Sequence, residues 1–192
     1  MPLLTEPVVP AGNLARLAQP SLKVDELVLR PWQPTDVRAV VAAYAEPDIQ
    51  RWHMRSMTGE EASSWIAQWP HRWTAESGAG WAVTDGADVL GQISLRKLVL
   101  AEGLSAISYW VLPSARGRAV ASRALSELTR WAFDELGLHR IEVAHSTSNP
   151  ASCRVAERAG YPWEGTKRRQ ARHADGWHDM HLHARLADDH PA

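Results

Sequence analysis

Apolar residues recur along this chain at two different periods, and each change of period marks a new element. The segment from Val24 to Leu29 predicts a strand, with Leu27 and Leu29 on one face, Glu26 and Val28 on the other, and Arg30-Pro31 closing it. Pro34-Thr35-Asp36 opens a helix that carries Val37, Val40, Val41 and Tyr44 at helical spacing and ends before Pro47. Thr58 and Glu61 form a capping box for a second helix, whose apolar stripe is Trp65, Ile66, Trp69 and Trp73. Pro70 is expected to kink or divide that helix.

After Gly78-Ala79-Gly80 the period becomes strand-like. Trp81 to Thr84 and Val89 to Leu100 predict a hairpin turning at Asp85-Gly86, and Ala106 to Leu112 a further strand closed by Pro113. Helical spacing returns from Val120 to Leu136, with Gly137 placed to end it. Ile141 to Ala144 is a strand. Asn149-Pro150 is an N-cap with proline at the first helical position, opening a short helix that Gly160 terminates. Two last strands, near 162–172 and 178–186, turn at Ala174-Asp175-Gly176. A mixed α/β sheet flanked by helices accounts for this order with one core. The expected organisation is an irregular arm over residues 1–21, one domain over 22–187 and a tail over 188–192.

Composition narrows the function. The net charge of −1 offers no basic domain to grip nucleic acid. No run is apolar for the ~20 residues of a membrane span, and nothing resembles a signal peptide, so a cytoplasmic protein without a membrane partner is expected. One cysteine, Cys153, excludes an internal disulfide and a Cys-based zinc cluster. The ten tryptophans against one phenylalanine suggest that Trp fills core positions usually held by Phe, with some rings free to line a cleft.

The chemically informative stretch runs from Tyr109 through Val111 and Pro113 to Arg116-Gly117-Arg118-Ala119-Val120-Ala121. A strand enters a tight turn that opens straight into a long helix. Small residues leave backbone N–H groups accessible at the positive end of the helix dipole, and two arginines stand on the rim; that is how a pyrophosphate is held. The loop is neither a dinucleotide-binding nor a P-loop glycine pattern, so nicotinamide and nucleoside triphosphate readings lose support.

This loop resembles the cofactor motif of the GCN5-related N-acetyltransferases (Gln or Arg, two residues, Gly, one residue, Gly or Ala). Arg116, Ala119 in place of the glycine, and Ala121 carry the match. Downstream, Asn149-Pro150-Ala151-Ser152, then Gly160-Tyr161 and Glu164-Gly165, resemble the family's second cofactor segment. Leu27-Val28-Leu29-Arg30-Pro31-Trp32 and Gly176-Trp177-His178-Asp179-Met180 fit the subgroup of ribosomal-protein alanine N-terminal acetyltransferases. The resemblance implies a mostly antiparallel mixed sheet splayed between the family's fourth and fifth strands, here Ala106 to Leu112 and His139 to Ser146. It implies acetyl-CoA as co-substrate, no metal, and an amine acceptor. Pantetheine would bond backbone near Val111, which also supplies the oxyanion donor; Arg116, Gly117, Arg118, Ala119, Val120 and Ala121 would take the pyrophosphate, and Asn149 and Ser152 the cofactor arm. Ala119 is expected at a helical φ near −60°, where alanine costs nothing.

Ser152 is the first candidate to protonate the departing thiolate, against the alternative of a helix-start serine bonding its own backbone; Tyr161 follows, with core packing as its better reading. The family's fourth-strand glutamate corresponds to Ala106 here, which leaves Glu142, His145, His53 or a water chain for the base. Cys153 reads as a packing residue. His178, His181 and His183 do not converge on a metal, because His178 points to the other face of its strand. Lys167-Arg168-Arg169 reads as a solvated strand face. The acceptor is a protein α-amine or a small amine, a non-catalytic acyl-CoA-binding module is a third reading, and the oligomeric state is open, a homodimer among the options.

Overall fold

Antiparallel hairpins build most of the structure, and a single parallel pair interrupts them. The computed structural model describes residues 4–189, so residues 1–3 of the expected arm and 190–192 of the expected tail lie outside it. In chain order the elements are β1 (Leu22–Val24), β2 (Leu27–Pro31), α1 (Val37–Ala45), α2 (Pro47–His53), α3 (Gly59–Thr74), β3 (Ala79–Thr84) and β4 (Val89–Val99). Then follow β5 (Leu104–Val111), α4 (Val120–Asp134), β6 (Arg140–Ser146), α5 (Pro150–Arg158), β7 (Trp163–His173) and β8 (Gly176–Leu186). All eight strands form one sheet in the order β1-β2-β3-β4-β5-β6-β8-β7. Every neighbouring pair is antiparallel except β5 and β6, which α4 joins as a crossover.

Three local expectations change. The single strand expected from Val24 to Leu29 is instead a hairpin, with Val24 opposite Leu27 and Asp25 at φ 51° making the turn. Aspartate tolerates the left-handed region because its side chain can satisfy nearby backbone. Pro47 starts α2 rather than merely stopping α1, since proline at the first helical position gives up no hydrogen bond. Pro70 does not divide α3: the capping box of Thr58 and Glu61 is formed, and the buried face of Ala62, Ile66, Trp69 and Trp73 holds the helix through the proline.

The sheet separates two apolar layers. On one face α4 packs Val120, Ala124, Leu128 and Trp131 against Leu27, Trp81, Ile93, Leu95, Ile141 and Val143. On the other, α1 and α3 bring Val40, Tyr44, Ile66 and Trp69 onto Trp32, Ala82 and Trp110. Tryptophan does fill the core: six of the ten rings are buried, whereas Trp163 and Trp177 are exposed. Gly80 explains how Trp69 fits, because a Cβ there would stand 2.5 Å from the indole ring.

The N-terminal segment is pinned to this frame. Val8 and Val9 donate backbone N–H bonds to Ala101 and Leu100, and Val9 and Leu14 are buried. Trp73 and Trp81 each donate an indole N–H to a carbonyl of the segment, Leu17 and Pro20. The Glu76 carboxylate receives the N–H groups of Gly12, Leu14 and Ala15 at 2.7, 2.8 and 3.1 Å. Charge-assisted bonds of this kind are the stronger ones. Glu76→Ala should therefore cost about 2 kcal/mol in urea unfolding and release residues 12–15 to fast amide exchange; unchanged exchange there would show that the apolar anchors suffice.

Candidate active site

The gap between β5 and β6 creates the site. Their ladder runs from Leu104 opposite Arg140 to Ile107 opposite Val143, and beyond that the strands part. Leu112 donates its N–H to Leu90 of the β4 side, so by the alternation of a ladder Tyr109 and Val111 turn their backbone groups toward the gap. Two of those carbonyls are met by side chains: His53 Nε2 stands 3.2 Å from the Tyr109 carbonyl, and Arg116 Nε donates to that of Val111. A cleft of about 580 Å³ opens here between α2, the end of β5, the start of α4 and α5.

One end of the cleft is the predicted loop. After β5 a 3-10 turn at Pro113–Ala115 leads to Arg116, and α4 begins at Val120. Arg116, Gly117, Ala119, Val120 and Ala121 line the cleft, with Ser122 behind them. The first N–H groups of α4 have no partner within the helix and face this end. Arg116 is held by Asp48 of α2 at 2.6 Å. Arg118 is not among the lining residues and lies 3.9 Å from Asp85. Ala119 corrects the expectation of a helical φ: it sits at φ 55°, ψ 19°, in the left-handed region. The alanine thus occupies the conformation for which glycine is suited, and carries the strain that glycine would avoid.

The other end is formed by β5 and α5. Asn149 spends its side-chain oxygen capping α5, accepting the Ser152 N–H at 3.1 Å. Ser152 Oγ lies 2.8 Å from the Tyr109 hydroxyl. Burial pushes the Tyr109 phenol up to about 12, against the hydrogen bond from Ser152, so it keeps its proton at neutral pH. Sequence reasoning gave Tyr109 no role, although strand alternation from Val111 puts both on the gap side. It also missed Arg154 and Arg158, which line the cleft one helical turn apart on α5, and Asp48. The i, i+4 spacing of Arg154 and Arg158, which puts both on one face of the helix, was a usable signal.

Of the three base candidates only His53 lines the cleft. Burial drives its imidazole down to about 4, the Tyr109 contact working the other way, so it is neutral at physiological pH. Glu142 and His145 lie away from the cleft. Glu142 is ion-paired with Arg140 at 3.0 Å, and Arg140 in turn holds Glu164. His145 is buried against His183, with ring centroids 5.2 Å apart. Tyr161 is fully buried and bonded to Thr129, as a packing residue should be. Lys167, Arg168 and Arg169 are exposed.

His178 diverges from His181 and His183 as expected, stacking instead on His173 at 4.2 Å and meeting Ser146 and Asp175. The strand-based expectation missed a different grouping. His181 and His183 meet His145 from β6 and Cys153 from α5.

Residues 26–162 match the family model described as acetyltransferase (GNAT) domain. The chain belongs to the GNAT acetyltransferases. It is 28% identical to the uncharacterized N-acetyltransferase YoaA of Bacillus subtilis (strain 168) over 153 residues, covering 78% of this chain and 86% of that one. Among solved structures it resembles Mycobacterium smegmatis RimJ in complex with CoA-disulfide, with TM-score 0.80 and 23% identity over 90% of this chain and 88% of that one. It also resembles RimL, a ribosomal L7/L12 alpha-N-protein acetyltransferase in complex with coenzyme A, with TM-score 0.81 and 18% identity over 87% and 98% of the two chains. At these identities the two structures establish the fold.

Two measurements probe the site's local energetics. Relieving the left-handed alanine gains about 1–2 kcal/mol, and glycine's extra unfolded-state freedom returns 0.5–1, so Ala119→Gly should stabilise the fold by roughly 0.5–1 kcal/mol in thermal unfolding. A loss of stability would mean the loop carries no strain. The second concerns His53, whose folded pKa lies below its unfolded one: the unfolded chain binds more protons between them, and stability falls as pH drops from about 6.5 to about 4. The contribution is at most about 3 kcal/mol, and His53→Phe should flatten that part of the stability–pH curve.

Proposed function

We propose that this chain transfers an acetyl group from acetyl-CoA to the α-amine of a protein, in the cytoplasm. The observation that carries the reading is the pairing of two features on one cleft. A helix start with an arginine stands at one end, and the Tyr109–Ser152 hydroxyl pair stands at the other, beside a strand whose backbone faces the gap. The first suits a pyrophosphate and the second a thioester.

In this reading the unpaired N–H groups at the start of α4, with Arg116, hold the phosphates. Arg154 and Arg158 add positive charge along α5 for the rest of an anionic cofactor. The backbone N–H of Val111 faces the gap, where it donates to the thioester oxygen as charge develops there. The amine nitrogen bonds to the acetyl carbon, the carbon–sulfur bond breaks, and the sulfur takes a proton from the Ser152 hydroxyl. The proton the nitrogen releases passes to solvent, from which the hydroxyl pair is restored. Tyr109, protonated at neutral pH, orients and resupplies that hydroxyl.

The acceptor follows from the base. A His53 imidazole held near 4 cannot efficiently take a proton from an alkylammonium at ~10.4, whereas an α-amine at ~7.7–8 is already neutral in roughly a tenth of molecules at pH 7. The cleft therefore favours an acceptor that arrives deprotonated. The name of RimL, an alpha-N-protein acetyltransferase, supports the same acceptor class. A small amine with a low pKa would satisfy the chemistry equally; size would then decide.

Release of free thiol from acetyl-CoA tests this directly. Peptides with a free N-terminus should react, with kcat/KM rising with pH and levelling near the acceptor's own pKa, while N-blocked lysine peptides and polyamines react at least ~100-fold more slowly at pH 7. Ser152→Ala should lower kcat about 10²-fold with little change in cofactor affinity. No thiol release with any amine would leave an acyl-CoA-binding module, and faster reaction with small amines would move the acceptor to that class.

A further inference from the structure

On the opposite side of α5 from the cleft, four side chains come together that the transfer reaction does not use. His145 of β6 pairs across the sheet with His181 of β8, His183 follows two residues on along the same face, and Cys153 reaches them from α5. One ligand atom from each of the four lies within 4.8 Å of those of the other three. A tetrahedral zinc site with nitrogen ligands at ~2.0–2.1 Å and a thiolate at ~2.3 Å has ligand–ligand separations of roughly 3.3–3.7 Å. The cluster is about 1 Å wider than that.

The hydrogen bonds around the cluster have the pattern of a metal's outer shell. His145 Nδ1 lies 2.8 Å from the Ser146 carbonyl and so carries the proton, and His183 Nδ1 bonds the Tyr161 carbonyl at 3.0 Å in the same way. Each bond fixes the tautomer and leaves Nε2 as the lone-pair nitrogen, the arrangement that orients ligating histidines. His145 is 95% buried by its 5% exposure, yet its Nε2 has no hydrogen-bond partner, and His181 Nδ1 is likewise buried and unpartnered. Cys153 Sγ stands 3.6 Å from His183 Nε2. Buried polar atoms without partners are costly, and a cation would satisfy these together. Cys153 and His181 are only partly buried, which gives an ion a way in.

We propose that His145, Cys153, His181 and His183 form a tetrahedral site for a zinc-class divalent metal that staples α5 to β6 and β8. Binding forms three nitrogen–metal bonds and one sulfur–metal bond, and the Cys153 proton leaves to solvent. Cys153 follows Ser152 directly, so the same helix turn carries the proposed proton donor on the cleft side and a metal ligand on the other. The metal fixes the height and rotation of that turn and has no part in the transfer itself.

Cobalt(II) titration of the chelator-treated, tag-free chain reads the site without any acetyl transfer. One equivalent should bind, with a thiolate-to-cobalt charge-transfer band and the intense visible bands of tetrahedral cobalt, and zinc should displace it. Cys153→Ser should abolish the charge-transfer band and His181→Ala should weaken binding at least ~10-fold, while His178→Ala, outside the quartet, should leave both unchanged. Saturating zinc should raise Tm by roughly 5–10 °C at ~100-fold excess over Kd and block reaction of the Cys153 thiol with a thiol reagent until chelator is added. Absence of binding at tens of micromolar metal, or binding that Cys153→Ser and His181→Ala leave intact, overturns the proposal.

Discussion

The β5–β6 pair stops after Ile107 and Val143, and most of what the molecule offers a ligand follows from that interruption. A parallel pair needs a crossover, so α4 must begin near the end of β5 and return along the sheet. Its unpaired N–H groups are thereby delivered to the mouth of the gap. The parted strands also leave the backbone groups of Tyr109 and Val111 without ladder partners, and buried backbone groups must find some. His53 and Arg116 take two carbonyls. The remaining groups are available to an extended ligand that can bond like a strand. The two ends of the cleft are thus set by one strand and the helix that follows it.

The same sheet sorts its side chains into two poles on either side of α5. On β5, alternation brings Tyr109 to the gap. On β6, Ile141, Val143 and His145 lie on the same face of the sheet as Ile107 and Tyr109, on the side toward β8. Consecutive residues on a helix differ by about 100° in direction, so Ser152 and Cys153 can serve one pole each. Ser152 meets Tyr109 and Cys153 meets His183. Whatever fixes α5 on its β8 side therefore also sets the position of the hydroxyl on its β5 side.

Element order and the turn from β5 into α4 were legible in the sequence because periodicity and capping are local signals. Thr58 with Glu61, Asn149 with Pro150, and Gly137 did what their chemistry dictates. The misses were of two kinds. Asp25 and Pro47 each admit two local structures, and only the packing partners choose between them. The second kind involves groups that meet across elements: Tyr109 with Ser152 are 43 residues apart, and Cys153 with His183 30. Pattern within one strand correctly separated His178 from its neighbours, yet could not find His145 and Cys153, which arrive from another strand and a helix. Of the base candidates, His53 lines the cleft, whereas Glu142 and His145 do not. Glu142 is on the right strand, but alternation turns it to the face opposite Val143 and Tyr109, where Arg140 pairs with it.

Ala119 shows how a local rule can be overridden in a loop at the cleft. Its left-handed backbone persists although alanine disfavours it, because both flanks are anchored. Ala115, before the loop, and Val120, after it, are buried in the core beneath β4 and α4 at 1% and 2% exposure. Between these fixed points the chain must turn from an extended strand into a helix in four residues, with Gly117 at φ 79° taking one reversal and residue 119 the other. Strain of about 1–2 kcal/mol survives where the surroundings over-determine the conformation. The methyl group leaves the N–H direction unchanged, so the anion-facing geometry depends on the anchors and not on the identity of residue 119. This also accounts for the Arg116–Asp48 pair. An exposed ion pair contributes little to stability, so exchanging Asp48 for a phosphate costs the fold almost nothing, and the loop arrives at its ligand already in shape.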